Sequence, residues 1–216
     1  MEAALKLARQ YFLELKPAQE QRTHFISRKQ SYHGNTLGAL AVSGHKLRRQ
    51  KFEPLLMDTV SQVSPCNELR GKKAGEGDEE YVARLASELD EEFQRIGPDS
   101  VCAFIAEPIV GAVSLLSITK DGVLRLITCA QAQGCVPSVP GYFQAVAAVC
   151  KKYGALLILD EVMCGMGRSG TLHAWEQEGI VPDIQTIGKA FGGGYQPIAG
   201  VLVNHTVIDT LKQGTG

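Results

Sequence analysis

Ionisable residues stand at the ends of three apolar runs in this chain. Glu107 follows the first run, Asp160 ends the second, and Lys189 lies just past the third. Continuous apolar runs of this length are typical of buried strands in a parallel sheet, and the carboxyl ends of such strands meet at one edge, where ligands bind. The sequence therefore predicts that a Glu, an Asp and a Lys meet at one edge. The runs span residues 101–106, 155–159 and 184–187.

The surroundings of Lys189 favour chemistry with a bulky ligand. Asp160 at the end of an apolar strand needs a cation or a proton donor beside it, and a salt bridge with Lys189 is one interpretation. However, Gly188 and Gly192–Gly194 flank the lysine, and glycines let backbone approach a ligand closely. A lysine partly desolvated beside such a loop is favoured as the neutral amine, which reacts with carbonyl groups.

These two residues match the needs of one cofactor. Pyridoxal 5'-phosphate requires a lysine for covalent attachment, an acid facing its pyridine nitrogen, and a phosphate cradle, often at a helix N-terminus. Lys189 and Asp160 supply the first two. We therefore predict pyridoxal phosphate as the cofactor.

The elements around these residues indicate an α/β fold with a mainly parallel sheet flanked by helices. The segment Pro140–Tyr153 has the pattern of a helix, and it joins the first two predicted strands as a βαβ unit. Further segments are predicted from apolar spacing and turn residues. They are an amphipathic helix from Ala4 to Leu15, a strand at 23–27, a helix at 36–43, a surface loop at 71–80 and a helix at 81–95.

Composition narrows the function classes. The 216 residues are 44% hydrophobic and 21% charged with a net charge of −1, which indicates a soluble enzyme with one large core, or one domain plus the stub of a second. No apolar run approaches the roughly 20 residues of a membrane span. The basic run 45–51 is interpreted as a solvated helix face, so we predict neither a nucleic-acid nor a membrane partner.

The cysteine pattern indicates a reducing compartment. The six cysteines are widely spaced, form no CxxC pair, and several lie in apolar runs. They are interpreted as buried reduced thiols, and no metal site is predicted. The expected location is the cytoplasm, and the sequence does not separate this from the mitochondrion.

Four motifs in order, covering nearly the whole chain, resemble those of the class III aminotransferases, which are pyridoxal-phosphate enzymes of fold type I. The motifs are Ser31-Tyr32-His33-Gly34-Asn35-Thr36, Ala106-Glu107-Pro108-Ile109-Val110-Gly111, Leu157-Ile158-Leu159-Asp160-Glu161-Val162 and Thr186-Ile187-Gly188-Lys189.

The resemblance implies a role for each site residue. Lys189 attaches the cofactor as a Schiff base and shuttles protons to the substrate, and Asp160 keeps the pyridine nitrogen protonated. Tyr32 stacks on one face of the ring and Val162 packs on the other. The remaining two, His33 and Glu107, shape the surroundings. Taken alone, Tyr32 is typical of a core aromatic, Val162 of a strand and His33 of a structural histidine.

The resemblance also implies a reaction and an assembly. An amino group moves between a small-molecule amino donor and a 2-oxo acid or aldehyde by a ping-pong mechanism, and the full-length enzyme is a homodimer. Two alternatives stay open. One is an aminomutase or a decarboxylase of the same fold, because fold does not fix the reaction. The other is an inactive truncated remnant.

A competing motif lies at Gly165–Gly170, which matches the dinucleotide fingerprint GxGxxG after a strand. In a dinucleotide-binding unit the acidic residue for the ribose lies about 20 residues after the glycines. Here the strand-end acid Asp160 precedes them and Lys189 stands near the expected place. A flexible connection is therefore favoured over a nicotinamide or flavin site.

The resemblance predicts that residues 1–216 form a partial cofactor-binding large domain. Family members carry a Gly-Ser/Thr phosphate loop before the helix that here begins at Glu2, and they continue into a small C-terminal domain; both are expected to be missing. Residues 113–133 separate two segments that are nearly adjacent in the family. They are interpreted as a translated intron or, alternatively, as a genuine surface insertion.

Overall fold

The computed structural model describes residues 1–111 and 135–214, together with the backbone of short strands at 117–118 and 124–125. The predicted insertion at 113–133 lies outside the described residues apart from the backbone of those two strands. The helices are α1 (Glu2–Glu14), α2 (Leu37–Val42), α3 (Lys46–Arg49), α4 (Glu68–Gly71), α5 (Asp78–Ile96), α6 (Tyr142–Lys152) and α7 (His205–Lys212). The strands are β1 (His24–Arg28), β2 (Val60–Val63), β3 (Val101–Ala106), β4 (Ile109–Val110), β5 (Ser117–Ile118), β6 (Leu124–Arg125), β7 (Val136–Pro137), β8 (Leu156–Asp160), β9 (Ile184–Ile187) and β10 (Gly200–Val203).

A six-stranded sheet in the order β10-β9-β8-β3-β1-β2 forms the centre of the molecule. All neighbouring pairs are parallel except β9 and β10, which are antiparallel. Every residue of β3, β8 and β9 is buried, as continuous apolar runs require when helices cover both faces of a sheet. The predicted fold class is confirmed.

Helices cover both faces of this sheet and bury one apolar stripe each. On one face, α1 contributes Ala4, Leu5, Ala8 and Phe12 to a cluster that includes Val207 of α7. On the other face, α5 and α6 pack together over β3 and β8, and Phe93 and Phe143 are fully buried. The sheet is therefore held rigidly between two hydrophobic layers, which fixes the positions of its strand ends.

Two strands of the central sheet and the start of one helix differ from the predictions. The predictions did not include β2 or β10; Val60–Val63 carries two polar residues between its valines, and Gly200–Val203 is only partly buried at the other edge of the sheet. The helix α5 begins at Asp78, three residues before the predicted start at Tyr81. Its acidic first turn complements the helix dipole, and Glu80 accepts a hydrogen bond from Gly77 N at 3.0 Å.

The amino-terminal edge of the sheet is closed by side chains that bond to backbone. Buried Arg22 donates to Val101 O at 2.6 Å and to Tyr153 O at 2.9 Å. Asp183 accepts from Leu157 N at 2.8 Å and from the Asn204 amide at 2.8 Å. These bonds tie the starts of β3, β8 and β9 together.

Candidate active site

Neighbouring strands deliver the predicted site residues to the carboxyl-terminal edge of the sheet. In spatial order, β9 leads to Lys189, β8 to Asp160, β3 to Glu107 and β1 to Tyr32 and His33. Because the four strands are parallel and adjacent, residues far apart in sequence meet at one place. This is the edge at which ligands bind in open α/β sheets.

A cavity of about 230 Å³ opens at this edge. Its lining contains every predicted site residue and two residues that were not predicted, Gly34 and Met163. The full lining is Tyr32, His33, Gly34, Glu107, Asp160, Val162, Met163 and Lys189.

Asp160 is the centre of a buried hydrogen-bond network. Its Oδ1 accepts from Thr186 Oγ1 at 3.0 Å and from Val162 N at 3.2 Å, and its Oδ2 lies 2.8 Å from His33 Nδ1. Only 6% of Asp160 is exposed. An ionised carboxylate can only accept hydrogen bonds, so His33 Nδ1 carries the hydrogen when Asp160 is charged. The proton donor that a buried Asp needs is therefore His33.

His33 is held in place by the start of the segment after α2. Its backbone N donates to Ser43 Oγ at 2.8 Å, and Ser43 Oγ donates to Ala39 O at 2.7 Å. The segment between His33 and α2 requires Gly34, which has φ +135° and whose added Cβ would lie 2.9 Å from Ala39 Cβ. His33 Nε2 is buried and has no hydrogen-bond partner among the described residues.

Glu107 fixes the backbone on both sides of the cavity. Glu107 is 3% exposed, its Oε1 accepts from Tyr32 N at 3.1 Å, and its Oε2 accepts from Gly111 N at 3.0 Å. Its backbone oxygen accepts from the buried Arg28 guanidinium. Glu107 therefore holds the Tyr32 backbone and the segment after β3 in fixed positions.

Lys189 opens a 3-10 turn, Lys189–Gly192, directly after β9. It has φ +46°, a left-handed conformation that is uncommon for a residue with a side chain and that clusters at functional sites. The side chain is exposed in this single chain, so the predicted partial desolvation is not found. The described residues include no ion pair between Lys189 and Asp160, and the salt-bridge interpretation is wrong for this structure.

The basic run 45–51 is only partly the solvated face that was predicted. Lys46 is exposed, but Arg49 donates to Ser43 O at 2.8 Å and so caps the end of α2. The Arg48 guanidinium lies 4.1 Å from the centre of the Tyr32 ring, a cation–π distance. One residue of the run therefore reaches the candidate site.

The glycine-rich segment Gly165–Gly170 forms turns, and no helix opens there among the described residues. Gly165 packs tightly against buried Glu161, because an added Cβ would lie 2.9 Å from Glu161 O. Gly167 and Gly170 have φ of +86° and +104°, values that turns require. These structural demands account for the glycines without a bound dinucleotide.

Glu161, next to Asp160 in sequence, has a different task. Its carboxylate accepts from Ala174 N at 2.8 Å and from Trp175 N at 2.9 Å, which holds the 3-10 turn Ala174–Glu176 against the sheet. Burial raises the pKa of the Glu161 carboxyl, and the two backbone donors oppose that shift. Asp160 therefore lines the cavity, whereas its neighbour Glu161 stabilises the scaffold.

The residue that the sequence analysis missed in the Asp160 network is Thr186. It lies on β9 directly beside Asp160 on β8 in the strand register. The pairing of Asp160 with Thr186 across the two strands identifies it. This pairing can be inferred only when β8 and β9 are known to be neighbours.

The cavity fits the ring end of pyridoxal phosphate. Asp160 Oδ2 has a lone pair that no described residue fills, Tyr32 and Val162 offer an aromatic ring and an aliphatic group as walls, and Lys189 supplies an amine. Phosphate-binding groups such as arginine are not among the lining residues. No group of three or more metal-binding side chains occurs in the described part of the chain.

Comparisons with known proteins agree with this geometry. The profile described as Aminotransferase class-III matches residues 1–126 and 126–216. An aminotransferase of Gibberella zeae is 52% identical over 100% of this chain and 39% of that protein. An uncharacterized aminotransferase of Schizosaccharomyces pombe is 50% identical over 99% of this chain and 42% of that protein. The structure of an (S)-enantioselective omega-transaminase from Thermomicrobium roseum has a TM-score of 0.85 and 37% identity, covering 100% of this chain and 43% of that one.

The fold, the cavity and these matches define one class of protein, and the chain belongs to the class III aminotransferase family. It spans about two fifths of the length of the relatives that it matches.

Proposed function

We propose that this chain binds pyridoxal phosphate at the carboxyl-terminal edge of its sheet and that the protein transfers an amino group between a small-molecule amino donor and an oxo acceptor. The observation that carries the proposal is the convergence of Tyr32, His33, Glu107, Asp160, Val162 and Lys189 on one cavity. The activity, substrates and partners of the whole protein are part of the proposal, because the chain covers 39% and 42% of the two fungal relatives.

Each side chain has a separate task in this proposal. Pyridoxal phosphate, when bound, supplies a ring that withdraws electrons from the substrate. Asp160 would hold the ring nitrogen and stabilise a proton there, and His33 Nδ1 contacts the same carboxylate. Lys189 Nζ is the amine for covalent attachment and proton transfer. Tyr32 and Val162, which line the cavity, would bind the ring faces and exclude water.

The hydrogen bonds of Glu107 favour a role in positioning the backbone around the cavity. Both of its carboxylate oxygens accept backbone hydrogen bonds, from Tyr32 N and Gly111 N. Glu107 therefore positions the backbone of Tyr32, and we propose that it acts on the cofactor through Tyr32.

Amino transfer is favoured over the aminomutase and decarboxylase alternatives. The Thermomicrobium roseum structure is described as a transaminase, and the fungal relatives as aminotransferases. Nothing in the cavity of this chain distinguishes the three reactions, so the support for transfer comes from these relatives.

The first test is covalent attachment of the cofactor. The purified chain is mixed with pyridoxal phosphate, its visible absorption is recorded, and the sample is reduced with borohydride and mapped by peptide mass spectrometry. We expect a visible band and a reduced adduct on Lys189, both absent in Lys189→Ala. Lys151→Ala is the matched control, since Lys151 is an exposed lysine on α6.

A folded wild-type chain without an adduct on Lys189 contradicts the proposal. An adduct that moves to other exposed lysines, or that persists in Lys189→Ala, indicates unspecific labelling and also contradicts it. When the adduct is specific, a panel of amino donors with 2-oxo acid acceptors tests transfer, measured as matched appearance of the oxo and amino products.

We also propose that the full-length protein is a homodimer. Several large apolar side chains are exposed and lie close in sequence to residues that line the cavity. They include Leu37 at 55%, Phe191 at 44% and Tyr195 at 96%. Exposed apolar groups beside a site are typical of an interaction surface. Light scattering after size exclusion tests this, and we expect twice the chain mass for wild type and a monomer for Tyr195→Asp.

The proposed compartment is the cytoplasm. The mitochondrion is the alternative, because the sequence does not distinguish the two. Cys66, Cys102, Cys150 and Cys164 are free and buried, and burial raises the pKa of Cys102 and Cys164 to about 12, so these thiols are poorly reactive. No helix among the described residues combines the length and apolar character of a membrane span. Microscopy of a fluorescently tagged chain distinguishes the two compartments.

A further inference from the structure

The donors around Asp160 are distributed unequally between its two oxygens. Oδ1 accepts from Thr186 Oγ1 and Val162 N, whereas Oδ2 has His33 Nδ1 as its partner. Each oxygen of an ionised carboxylate offers two lone pairs. Oδ1 is therefore filled, and Oδ2 retains one lone pair for a further donor.

We propose that Thr186 is a positioning residue that fills Asp160 Oδ1 and so presents the free lone pair of Oδ2 to the cavity. Oδ2, which His33 also contacts, is then the oxygen that would hold the ring nitrogen of the cofactor. This inference rests on the proposed function, because it assigns the pairing of that same cofactor.

The strand register makes Thr186 suited to this task. Thr186 on β9 pairs with Asp160 on β8, and it is 1% exposed in a fully buried strand. A β-branched side chain in a strand has few χ1 choices, so its hydroxyl stays in place. By contrast, the terminal torsion of an aspartate is intrinsically broad and needs external bonds to fix it.

The Val162 backbone does not replace the threonine. Its N–H lies 3.2 Å from Asp160 Oδ1 and belongs to a residue two positions away, so it moves with the aspartate. Thr186 reaches the same oxygen from another strand, at 3.0 Å. Its hydroxyl therefore fixes the carboxylate relative to the sheet.

The test compares Thr186→Val with Thr186→Ser and with wild type. Valine keeps the shape of threonine and removes the hydroxyl, whereas serine keeps the hydroxyl. We expect Thr186→Val to raise the Kd for pyridoxal phosphate about 10-fold, the effect of weakening one hydrogen bond to a charged group. The ¹⁵N resonance of labelled cofactor should show less protonation of the ring nitrogen in this variant, and Thr186→Ser should restore both readouts.

Two controls separate positioning from a general structural effect. Thr210→Val removes a hydroxyl that bonds to Thr206 O at an exposed position on α7, and it should leave both readouts unchanged. In an Asp160→Asn background, Thr186→Val should have no further effect on the ¹⁵N resonance, because residues that act through one another are not additive.

The outcomes are distinct. A Thr186→Val variant with wild-type Kd and ¹⁵N resonance overturns the inference alone, provided that wild type binds and Asp160→Asn changes the resonance. A persistent effect in the Asp160→Asn background overturns it as well. If wild type fails to bind, or Asp160→Asn leaves the resonance unchanged, the proposed function fails together with the inference. Thermal unfolding checks each variant, and Thr186→Ala replaces the valine variant if that one does not fold.

Discussion

The two edges of the central sheet use polar residues in opposite ways. At the amino-terminal edge, Arg22 and Asp183 bond to backbone groups and to Asn204, and these bonds tie the scaffold together. At the carboxyl-terminal edge, Asp160 and Lys189 line a cavity, and Lys189 is exposed.

This difference separates groups that hold the fold from groups that are ready for a ligand. A buried polar group that bonds to the scaffold contributes to stability, whereas one that lines a cavity is also open to a ligand. Both edges contain buried charge, so burial alone does not identify the site. The cavity at the carboxyl-terminal edge, which Asp160 and Lys189 line, does.

The largest expected effect comes from replacing Arg22, which tests whether the amino-terminal edge stabilises the fold. Arg22→Ala leaves Val101 O and Tyr153 O without their donor and removes packing over Phe12, so we expect a loss of about 3 kcal/mol in the free energy of unfolding. Urea denaturation measures it. Arg95→Ala is the control, because Arg95 pairs with Glu92 on the surface of α5. A similar loss in both variants would contradict the distinction.

The matching change at the other edge is Asp160→Asn. Asparagine keeps an acceptor for Thr186 and Val162 N and offers an amide to His33, so we expect a change below about 1 kcal/mol in unfolding. The charge is lost, and we expect the Kd for pyridoxal phosphate to rise about 100-fold, measured by absorption titration. Asp183→Asn serves as the control at the opposite edge. Equal cofactor affinities in the two variants would show that the edges do not differ.

A smaller effect tests the rim of the cavity. Arg48→Gln removes the cation from the Tyr32 ring, and we expect the Kd for pyridoxal phosphate to rise about 3-fold, since exposed cation–π contacts contribute about 0.5–1 kcal/mol. Lys46→Gln removes an exposed charge from the same turn. If both variants weaken binding equally, the effect is one of general charge rather than of the contact with Tyr32.

The smallest effect comes from a surface pair away from both edges. Arg84 donates to both carboxylate oxygens of Glu76, and these bonds lower the pKa of Glu76 to about 2. A lowered folded-state pKa gives stability that is present above the unfolded value and is lost as the pH falls through about 2. The advantage of wild type over Glu76→Gln in thermal unfolding should therefore shrink between pH 4.5 and 2. An advantage that does not vary with pH would exclude this pair as its source.

The strand-end residues were predictable because their signals are local. Asp160 and Glu107 each follow an apolar run, and the glycines beside Lys189 lie within five positions of it. The contact between His33 and Asp160 was not predictable, because it joins residues 127 positions apart. Thr186 is similar, since its role depends on strand register.

Arg48 and the edge strands show the other limit. A run with several basic residues gives no sign of which side chain turns toward Tyr32, and that choice depends on how α2 and α3 pack. The strands β2 and β10 lie at the two edges of the sheet, where burial is incomplete. In both cases the missing information is tertiary.

The delivery of cavity residues by β1, β3, β8 and β9 has a thermodynamic consequence. The lining extends from Tyr32 to Lys189 along the chain, so an unfolded chain does not assemble it. A ligand of this cavity binds the native state and shifts the folding equilibrium by mass action, stabilising it by RT ln(1 + [L]/Kd). Ligand concentration therefore sets part of the stability of the whole sheet, including the amino-terminal edge that the ligand never touches.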